Sequence, residues 1–292
     1  MIEDVLVSPS TAFQLAQNEP VIFLDTRSAD EYFHGHIPGA VNAREIFTYL
    51  ATTTPEGLAD LQKTFAEVFS QAGLSGQERA IVYEDAMHTG FGQSCRGYIL
   101  LQYLGYPKIS VIEGGFQGWL ASGLPVTTEV PRPTPSVFPV NPDNSIFLTK
   151  DDVLQHLGDP HIRLLDVRDY EEWMGLSSSP YGVDFCPRKG RIPGAVWIEW
   201  HRMMDEDAVV PRFRSADHIR QACSEVGIYE DTPVFLYCFK GSRTSNTYLT
   251  LKKAGIHQVR MYFGSWNEWS RHLELPIEEG SPDSERMAAR HV

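Results

Sequence analysis

Short apolar runs alternate with helical patterns along the chain. In the second half, four runs are apolar on both faces, which predicts buried strands: IRLLDV (162–167), AVWI (195–198), PVFLYC (233–238) and VRMYF (259–263). Three segments have helical periodicity: 149–158, 215–227 and 244–255. Thr149 and Ser215 are the expected N-caps, and Gly158 and Gly255 the expected stops. Strands that alternate with helices predict an α/β fold, a mainly parallel sheet flanked by helices.

Four motifs of the first half recur in the second half in the same order. The pairs are VIFLDTR (21–27) with IRLLDVR (162–168), HIPGAV (36–41) with RIPGAV (191–196), AIVYE (80–84) with VFLYC (234–238), and GGFQGW (114–119) with GSWNEW (264–269). These ordered matches predict two copies of one domain.

A proline-rich span, EVPRPTPSVFPVNPDNS, separates the two copies and contains five prolines. Proline disfavours a helix, so this span is an expected extended linker. The predicted organisation is a domain at 1–128, a linker at 129–145, a domain at 146–280 and a polar tail at 281–292.

The composition narrows the function classes. The 292-residue chain has a net charge of −13, which argues against a nucleic-acid partner because phosphate binding needs a basic surface. No apolar run is long enough to cross a membrane, and the start of the sequence has no secretory pattern, so we expect a cytoplasmic protein. Four scattered cysteines indicate reduced thiols rather than a disulfide framework. The ten histidines have no metal-ligand spacing, so we expect no metal and no organic cofactor.

One of these cysteines, Cys238, ends a predicted strand and has unusual neighbours. Lys240 and Arg243 place two positive charges beside it, Gly241 lets the backbone curl, and a helix is predicted to begin just after. Helix N-termini and inward-pointing N–H groups stabilise anions, so this loop is suited to keep the thiol as a nucleophilic thiolate. The other three cysteines, Cys95, Cys186 and Cys223, lack such surroundings and are expected to be buried structural residues.

The spacing in this loop separates two kinds of anion site. A tyrosine-phosphatase loop has five residues between its cysteine and its arginine, whereas only four separate Cys238 from Arg243. The shorter ring of N–H groups suits a single sulfur atom better than a tetrahedral phosphate, which disfavours a phosphatase.

The motifs LLDVR, RIPGAV, CFKGSR and GSWNEW together resemble the tandem-domain rhodaneses, the thiosulfate and 3-mercaptopyruvate sulfurtransferases. The resemblance spans almost the whole chain. It implies two rhodanese-like domains, of which the second carries the catalytic cysteine, Cys238. In the first domain, Glu84 or Asp85 stands at that position, which implies an inactive copy.

The family mechanism implies that the Cys238 thiolate takes a sulfur from a small anionic donor, becomes a persulfide, and passes the sulfur to cyanide, a thiol or a thioredoxin-like protein. Lys240 and Arg243 are then expected to bind the donor. The persulfide is expected to lie in a cradle of loop residues: Phe239, Gly241, Ser242 and Thr244. Asp166 has two interpretations of equal weight: a supporting residue near this loop, or a turn residue that fixes Arg168.

The loop sequence and the nearby arginines bear on which donor is used. CFKGSR keeps the lysine of the thiosulfate enzymes, CRKGVT, which the mercaptopyruvate pattern CGSGVT lacks. Mercaptopyruvate enzymes use two arginines for the donor carboxylate; Arg188 matches one, but Met174 replaces the other. Glu172 stands where animal thiosulfate enzymes have an arginine. We therefore expect thiosulfate as the donor, with 3-mercaptopyruvate, or a non-enzymatic sulfur-carrier or binding module, as the alternatives.

Overall fold

Two parallel sheets organise the chain in a computed structural model that describes residues 5–282 and 286–287. The first unit comprises the described residues up to Tyr49, together with Ala59–Asn144 and Met204–Phe213. The second comprises Leu50–Leu58, Ser145–Met203 and the described residues from Arg214 onward. Each unit therefore includes a short segment from the other half of the sequence.

The sheet of the first unit has five parallel strands in the order β1-β5-β4-β2-β3. The strands are β1 (Leu6–Val7), β2 (Val21–Asp25), β3 (Val41–Asn42), β4 (Arg79–Tyr83) and β5 (Ile109–Ile112). The helices of this part of the chain are α1 (Pro9–Asn18), α2 (Ala29–His34), α3 (Glu45–Thr48), α4 (Pro55–Gln71), α5 (Gln93–Tyr103) and α6 (Gly115–Ala121).

The sheet of the second unit repeats this plan with the order β6-β12-β11-β7-β8, again all parallel. Its strands are β6 (Phe147–Leu148), β7 (Arg163–Asp166), β8 (Val196–Trp197), β11 (Val234–Tyr237) and β12 (Val259–Tyr262). The helices are α7 (Lys150–Gln155), α8 (Tyr170–Trp173), a 3₁₀ helix (Trp200–Met203), α9 (Ala216–Ser224), α10 (Ser242–Lys253) and α11 (Ser265–Trp269). An antiparallel pair, β9 (Met204–Asp205) with β10 (Arg212–Phe213), lies in the segment assigned to the first unit.

The expected α/β fold with two mainly parallel sheets is confirmed. The four predicted strands of the second half coincide with β7, β8, β11 and β12. The expected N-caps are also observed, since the Thr149 hydroxyl accepts the N–H of Asp152 at 3.0 Å and the Ser215 hydroxyl that of His218 at 3.4 Å. Local sequence patterns therefore predicted these strands and N-caps of the second domain correctly.

The proline-rich span packs against the first unit. Residues 128–143 form neither helix nor strand. Phe138 is buried, and its ring centroid lies 5.2 Å from that of Phe69 and 5.3 Å from that of Tyr106. The predicted domain limits stay a prediction, and the predicted tail lies outside the described residues except at 281–282 and 286–287.

The core of the second unit is rich in tryptophan. Its main core cluster contains four completely buried indole rings: Trp173, Trp197, Trp266 and Trp269. β11 is flanked by β12 on one side and β7 on the other, so its carboxyl end lies in the middle of the sheet edge. Cys238 is the first residue after this end. Among the described residues, no helix is long and apolar enough to span a membrane.

Candidate active site

A four-residue loop, Cys238 to Gly241, joins β11 to α10. Gly241 is the N-cap of α10 and has a φ of +90°, a left-handed conformation that favours glycine. A Cβ atom there would lie 2.8 Å from Cδ2 of Phe263, so both the backbone and the space require glycine. Because Gly241 has no side chain, the loop can curl back over Cys238.

The curl brings hydrogen-bond donors to the cysteine sulfur. The Gly241 N–H donates to Cys238 Sγ at 3.2 Å, and the Thr244 hydroxyl oxygen lies 3.8 Å from the same atom. Both groups belong to the start of α10, whose dipole favours negative charge at this end. This arrangement is suited to stabilise a sulfur anion.

The backbone of Cys238 is fixed by α11, the helix formed by the GSWNEW motif. The Cys238 N–H donates to Ser265 Oγ at 3.2 Å, and the Cys238 carbonyl accepts the N–H of Trp266 at 3.0 Å. The Phe239 carbonyl accepts the N–H of Asn267 at 2.9 Å. Ser265 has a φ of +54°, uncommon for a residue other than glycine. The glycine-serine step before two tryptophans was the available signal, and it was missed.

Arg243, which is expected to bind the donor, pairs with two acidic side chains, and its contact with a donor stays a prediction. Its guanidinium is buried and paired with Glu172, at 2.6 Å from Nη1 to Oε2 and 3.1 Å from Nη2 to Oε1. Asp169 adds a second carboxylate at 2.9 Å. Burial raises the pKa of Glu172, while the Arg243 charge opposes that rise. The acidic residue noted as a departure from the animal enzymes is thus the partner of the loop arginine.

Lys240 lies under an aromatic ring beside the loop. The residue is 7% exposed, and its Nζ lies 5.4 Å from the ring centroid of Tyr181. Tyr181 also contacts Phe239, with ring centroids 5.2 Å apart. Cys238 itself is 1% exposed. Lys240 remains the second cation that accompanies this loop, as the sequence indicated.

Arg188, which is expected to bind a donor carboxylate, contacts the carboxyl end of α11. Its guanidinium donates to four backbone carbonyls, at distances of 2.6 to 3.0 Å: those of Trp269, Ser270, His272 and Leu275. These carbonyl groups belong to the last residue of α11 and to residues that follow it. Arg188 therefore stabilises the carboxyl end of the helix that fixes Cys238, while its expected contact with a donor stays a prediction.

Of the two interpretations of Asp166, the contacts support the one that fixes Arg168. Both residues are buried, and the Asp166 carboxylate accepts the N–H, Nε and Nη2 of Arg168 at 2.6 to 3.0 Å. Arg168 Nη2 also donates a hydrogen bond to the Gly190 carbonyl at 2.8 Å. Asp25 and Arg27 form the same pair in the first unit, with a shortest distance of 2.6 Å. A pair present in both domains is a feature of the fold.

The first unit holds a carboxylate at the position of the cysteine. The Glu84 carbonyl accepts the N–H of Phe116 at 2.8 Å, as the Cys238 carbonyl accepts that of Trp266, which identifies Glu84 rather than Asp85 as the counterpart. Its carboxylate accepts the Gln93 N–H at 2.8 Å and the Ser94 hydroxyl at 2.9 Å. Complete burial raises the pKa of Glu84 to about 8. A carboxyl group thus occupies the cradle at the start of α5.

The other three cysteines are completely buried, as expected for structural residues: Cys95, Cys186 and Cys223. Burial raises the pKa of Cys186 to about 11 and that of Cys223 to about 12. These thiols are poor nucleophiles at neutral pH. Within 5–282 and 286–287, histidine, cysteine and acidic side chains form no cluster of three that is able to hold a metal ion.

Comparison with known proteins agrees with this geometry. The family profile of the rhodanese-like domain matches twice, at residues 8–122 and 149–272. The thiosulfate sulfurtransferase of Azotobacter vinelandii is 30% identical over 258 residues, 88% of this chain and 91% of that protein. Sulfur carrier protein TtuD of Thermus thermophilus is 30% identical over 273 residues, 91% of this chain and 90% of that one.

Among solved structures, wild-type EanB has the same fold, with a TM-score of 0.82 at 24% identity over 96% of this chain and 70% of that one. The two profile matches cover the two sheets except for the edge strands β1 and β6, and the alignments with the two relatives cover about 90% of each relative. The chain therefore belongs to the rhodanese family of sulfurtransferases and contains two rhodanese-like domains in tandem.

Proposed function

We propose that the protein moves a sulfane sulfur from thiosulfate to cyanide or a thiol through a persulfide on Cys238. In this proposal, residues 146–280 form the catalytic domain and residues 1–128 an inactive copy. The observation that carries it is the hydrogen bond of 3.2 Å from the Gly241 N–H to Cys238 Sγ at the N-terminus of α10.

In the first step, the Cys238 thiolate attacks the outer sulfur of thiosulfate. The S–S bond of the donor breaks, sulfite leaves with the electron pair, and a persulfide anion remains on Sγ. In the second step, cyanide or a thiolate attacks the outer persulfide sulfur and releases the Cys238 thiolate. The Gly241 N–H and the Thr244 hydroxyl stabilise negative charge on sulfur throughout, which is the role of an oxyanion hole applied to sulfur.

The charges around the loop favour a donor that carries no carboxylate. The Arg243 charge is balanced by the Glu172 carboxylate. In this proposal Lys240, whose Nζ lies beside the loop, attracts the donor anion. A mercaptopyruvate donor needs arginines for its carboxylate. Arg188 is bound to four carbonyls, and the other expected position is Met174. Thiosulfate therefore fits this site better than 3-mercaptopyruvate.

A sulfur-carrier role is the second candidate, because TtuD is named a sulfur carrier protein. Both roles begin with the same persulfide and differ in what removes its sulfur. An enzyme discharges to a small acceptor over many turnovers, whereas a carrier delivers its sulfur to a partner protein.

Mass spectrometry of the protein after incubation with thiosulfate tests the proposal. We expect the mass to rise by one sulfur atom, with peptide mapping to place it on Cys238, and no gain in Cys238→Ser. Addition of cyanide should then restore the original mass and yield thiocyanate over repeated turnovers. Loading without discharge to cyanide or small thiols supports the carrier role. The absence of any mass gain with thiosulfate or 3-mercaptopyruvate contradicts both roles.

A further inference from the structure

An aromatic side chain outside the loop lies directly against two of its residues. The Tyr181 ring contacts the Phe239 ring at 5.2 Å between centroids, and Lys240 Nζ lies 5.4 Å from the same Tyr181 centroid. Tyr181 comes from the segment between α8 and β8, which the first domain lacks in this length. The general chemistry of the loop assigns no role to this residue.

A hydrogen-bonded turn fixes the backbone of Tyr181. The Tyr181 N–H donates to Ser179 Oγ at 3.1 Å, and the Ser179 hydroxyl donates to the Gly182 carbonyl at 3.0 Å. The Gly182 N–H donates to the Ser179 carbonyl at 3.2 Å, and the buried Cys186 donates its N–H to the Gly182 carbonyl at 3.2 Å. This closed turn fixes where Tyr181 enters the site.

The other side of Tyr181 is open to solvent and continues into a second ring. Tyr181 is 45% exposed and Phe185 is 46% exposed, and their ring centroids lie 5.4 Å apart. Lys240 Nζ lies over the face of the Tyr181 ring and is largely buried, while the exposed side of that ring continues to Phe185. A cation beside exposed rings suits a molecule with an anionic head and an apolar body. Inorganic thiosulfate has only the head.

We propose that Tyr181 is a specificity residue that selects sulfur donors whose leaving group carries an aromatic or bulky apolar substituent beside its anionic group. The inference rests on the proposed persulfide function. A donor anion held by Lys240 brings its substituent onto the Tyr181 and Phe185 rings, where ring contacts are favourable. Tyr181 thereby acts on the substrate itself, while Lys240 holds the charged end.

Thiosulfonates, R–SO₂–S⁻, present this combination and react as thiosulfate does. The Cys238 thiolate forms a bond to the terminal sulfur, and the bond between that sulfur and the sulfonyl sulfur breaks. The sulfinate R–SO₂⁻ leaves with the electron pair, and the persulfide anion remains on Cys238. Benzenethiosulfonate and methanethiosulfonate share the reacting group and differ only in R, so their ratio isolates the contact with the rings.

The test measures kcat/KM for these two donors with cyanide as acceptor, after subtraction of the uncatalysed reaction. We expect the protein to prefer the aryl donor, and Tyr181→Ala to reduce the aryl-to-methyl ratio by about fivefold to tenfold. Tyr181→Phe keeps the ring and should keep the ratio. Tyr229→Ala removes another exposed tyrosine of the second unit, before β11, and should leave the ratio unchanged.

Two outcomes overturn the inference in distinguishable ways. If thiosulfate loads Cys238 with sulfur but the ratio is the same in Tyr181→Ala and the unaltered protein, Tyr181 does not select the donor and the proposed function stands. If no donor loads Cys238, the proposed function fails, and this inference fails with it.

Discussion

The Arg243 guanidinium and the Glu172 carboxylate form a buried ion pair in which two nitrogens meet two oxygens, at 2.6 and 3.1 Å. Arg243 lies in the first turn of α10, and Glu172 lies in α8, 71 residues earlier in the chain. The pair therefore ties the helix that begins beside Cys238 to the opposite side of the site. The main energetic effect of a buried ion pair appears when one partner is removed, because the other charge is then left buried without compensation.

Glu172→Gln should lower the free energy of unfolding by about 3 kcal/mol, because it leaves the buried Arg243 charge with the partly exposed Asp169 alone. Urea denaturation measures the change. Asp217→Asn is the matched control, since it breaks the exposed pair of Asp217 with Arg220 and should cost no more than about 0.5 kcal/mol. Equal losses in the two variants would show that burial of the Arg243 pair is unimportant.

Lys240→Ala should raise the KM for thiosulfate about tenfold, since a charged hydrogen bond to an anion is worth about 1.5–3 kcal/mol. Steady-state kinetics with cyanide as acceptor measure the change. Lys252→Ala is the control: Lys252 lies at the other end of α10, with its Nζ 5.1 Å from the ring centroid of Tyr248. An unchanged KM in Lys240→Ala would show that this charge does not bind the donor.

Gly241→Ala should strongly reduce kcat and destabilise the fold by about 2–4 kcal/mol, because the new Cβ adds a contact with Phe263 to the cost of a left-handed φ. Gly158→Ala separates these two causes. Gly158 has a φ of +79° with nothing within 4 Å of the added Cβ, so this variant should cost only about 1 kcal/mol and keep its activity. If both variants behave alike, the close approach to Phe263 is not what requires glycine in the loop.

The features predictable from the sequence are those whose residues lie close together along the chain. The strands, the Thr149 and Ser215 caps and the place of Cys238 were predictable because each depends on residues within one turn or one strand. The partners of Arg243 and Arg188 were not, because they lie 71 to 87 residues away and no local pattern encodes which side chain an arginine reaches.

The match between the two copies, and not a local pattern, identified Glu84 as a candidate for the position equivalent to Cys238. Alignment of the two copies left Glu84 and Asp85 as alternatives, and the matching carbonyl contacts with Phe116 and Trp266 decided between them. The alignment gave no sign that the carboxyl group fills the cradle of its own loop. That outcome depends on the path of the residues after Glu84, where Gly90 leaves room for the carboxyl oxygens.

Glu84 gives the first domain a pH dependence with a defined sign. Burial raises its pKa to about 8, whereas the ordinary value is 4.5, so between these values the folded protein holds a proton that the unfolded chain has released. The free energy of unfolding should therefore fall as the pH rises through this window. Glu84→Gln cannot ionise, and its side-chain oxygen is still able to accept the Gln93 N–H, so it should not show this fall.

Urea denaturation at about pH 5 and about pH 9 measures the difference, which we expect to be on the order of 2–4 kcal/mol larger for the unaltered protein than for Glu84→Gln. Glu67→Gln, at an exposed position of α4, controls for the loss of one carboxylate and should keep the pH dependence of the unaltered protein. If the unaltered protein and Glu84→Gln lose the same stability over this range, the buried carboxyl group does not titrate there. The cradle of the first domain would then hold a charged carboxylate at neutral pH, as that of the second domain is proposed to hold a charged sulfur.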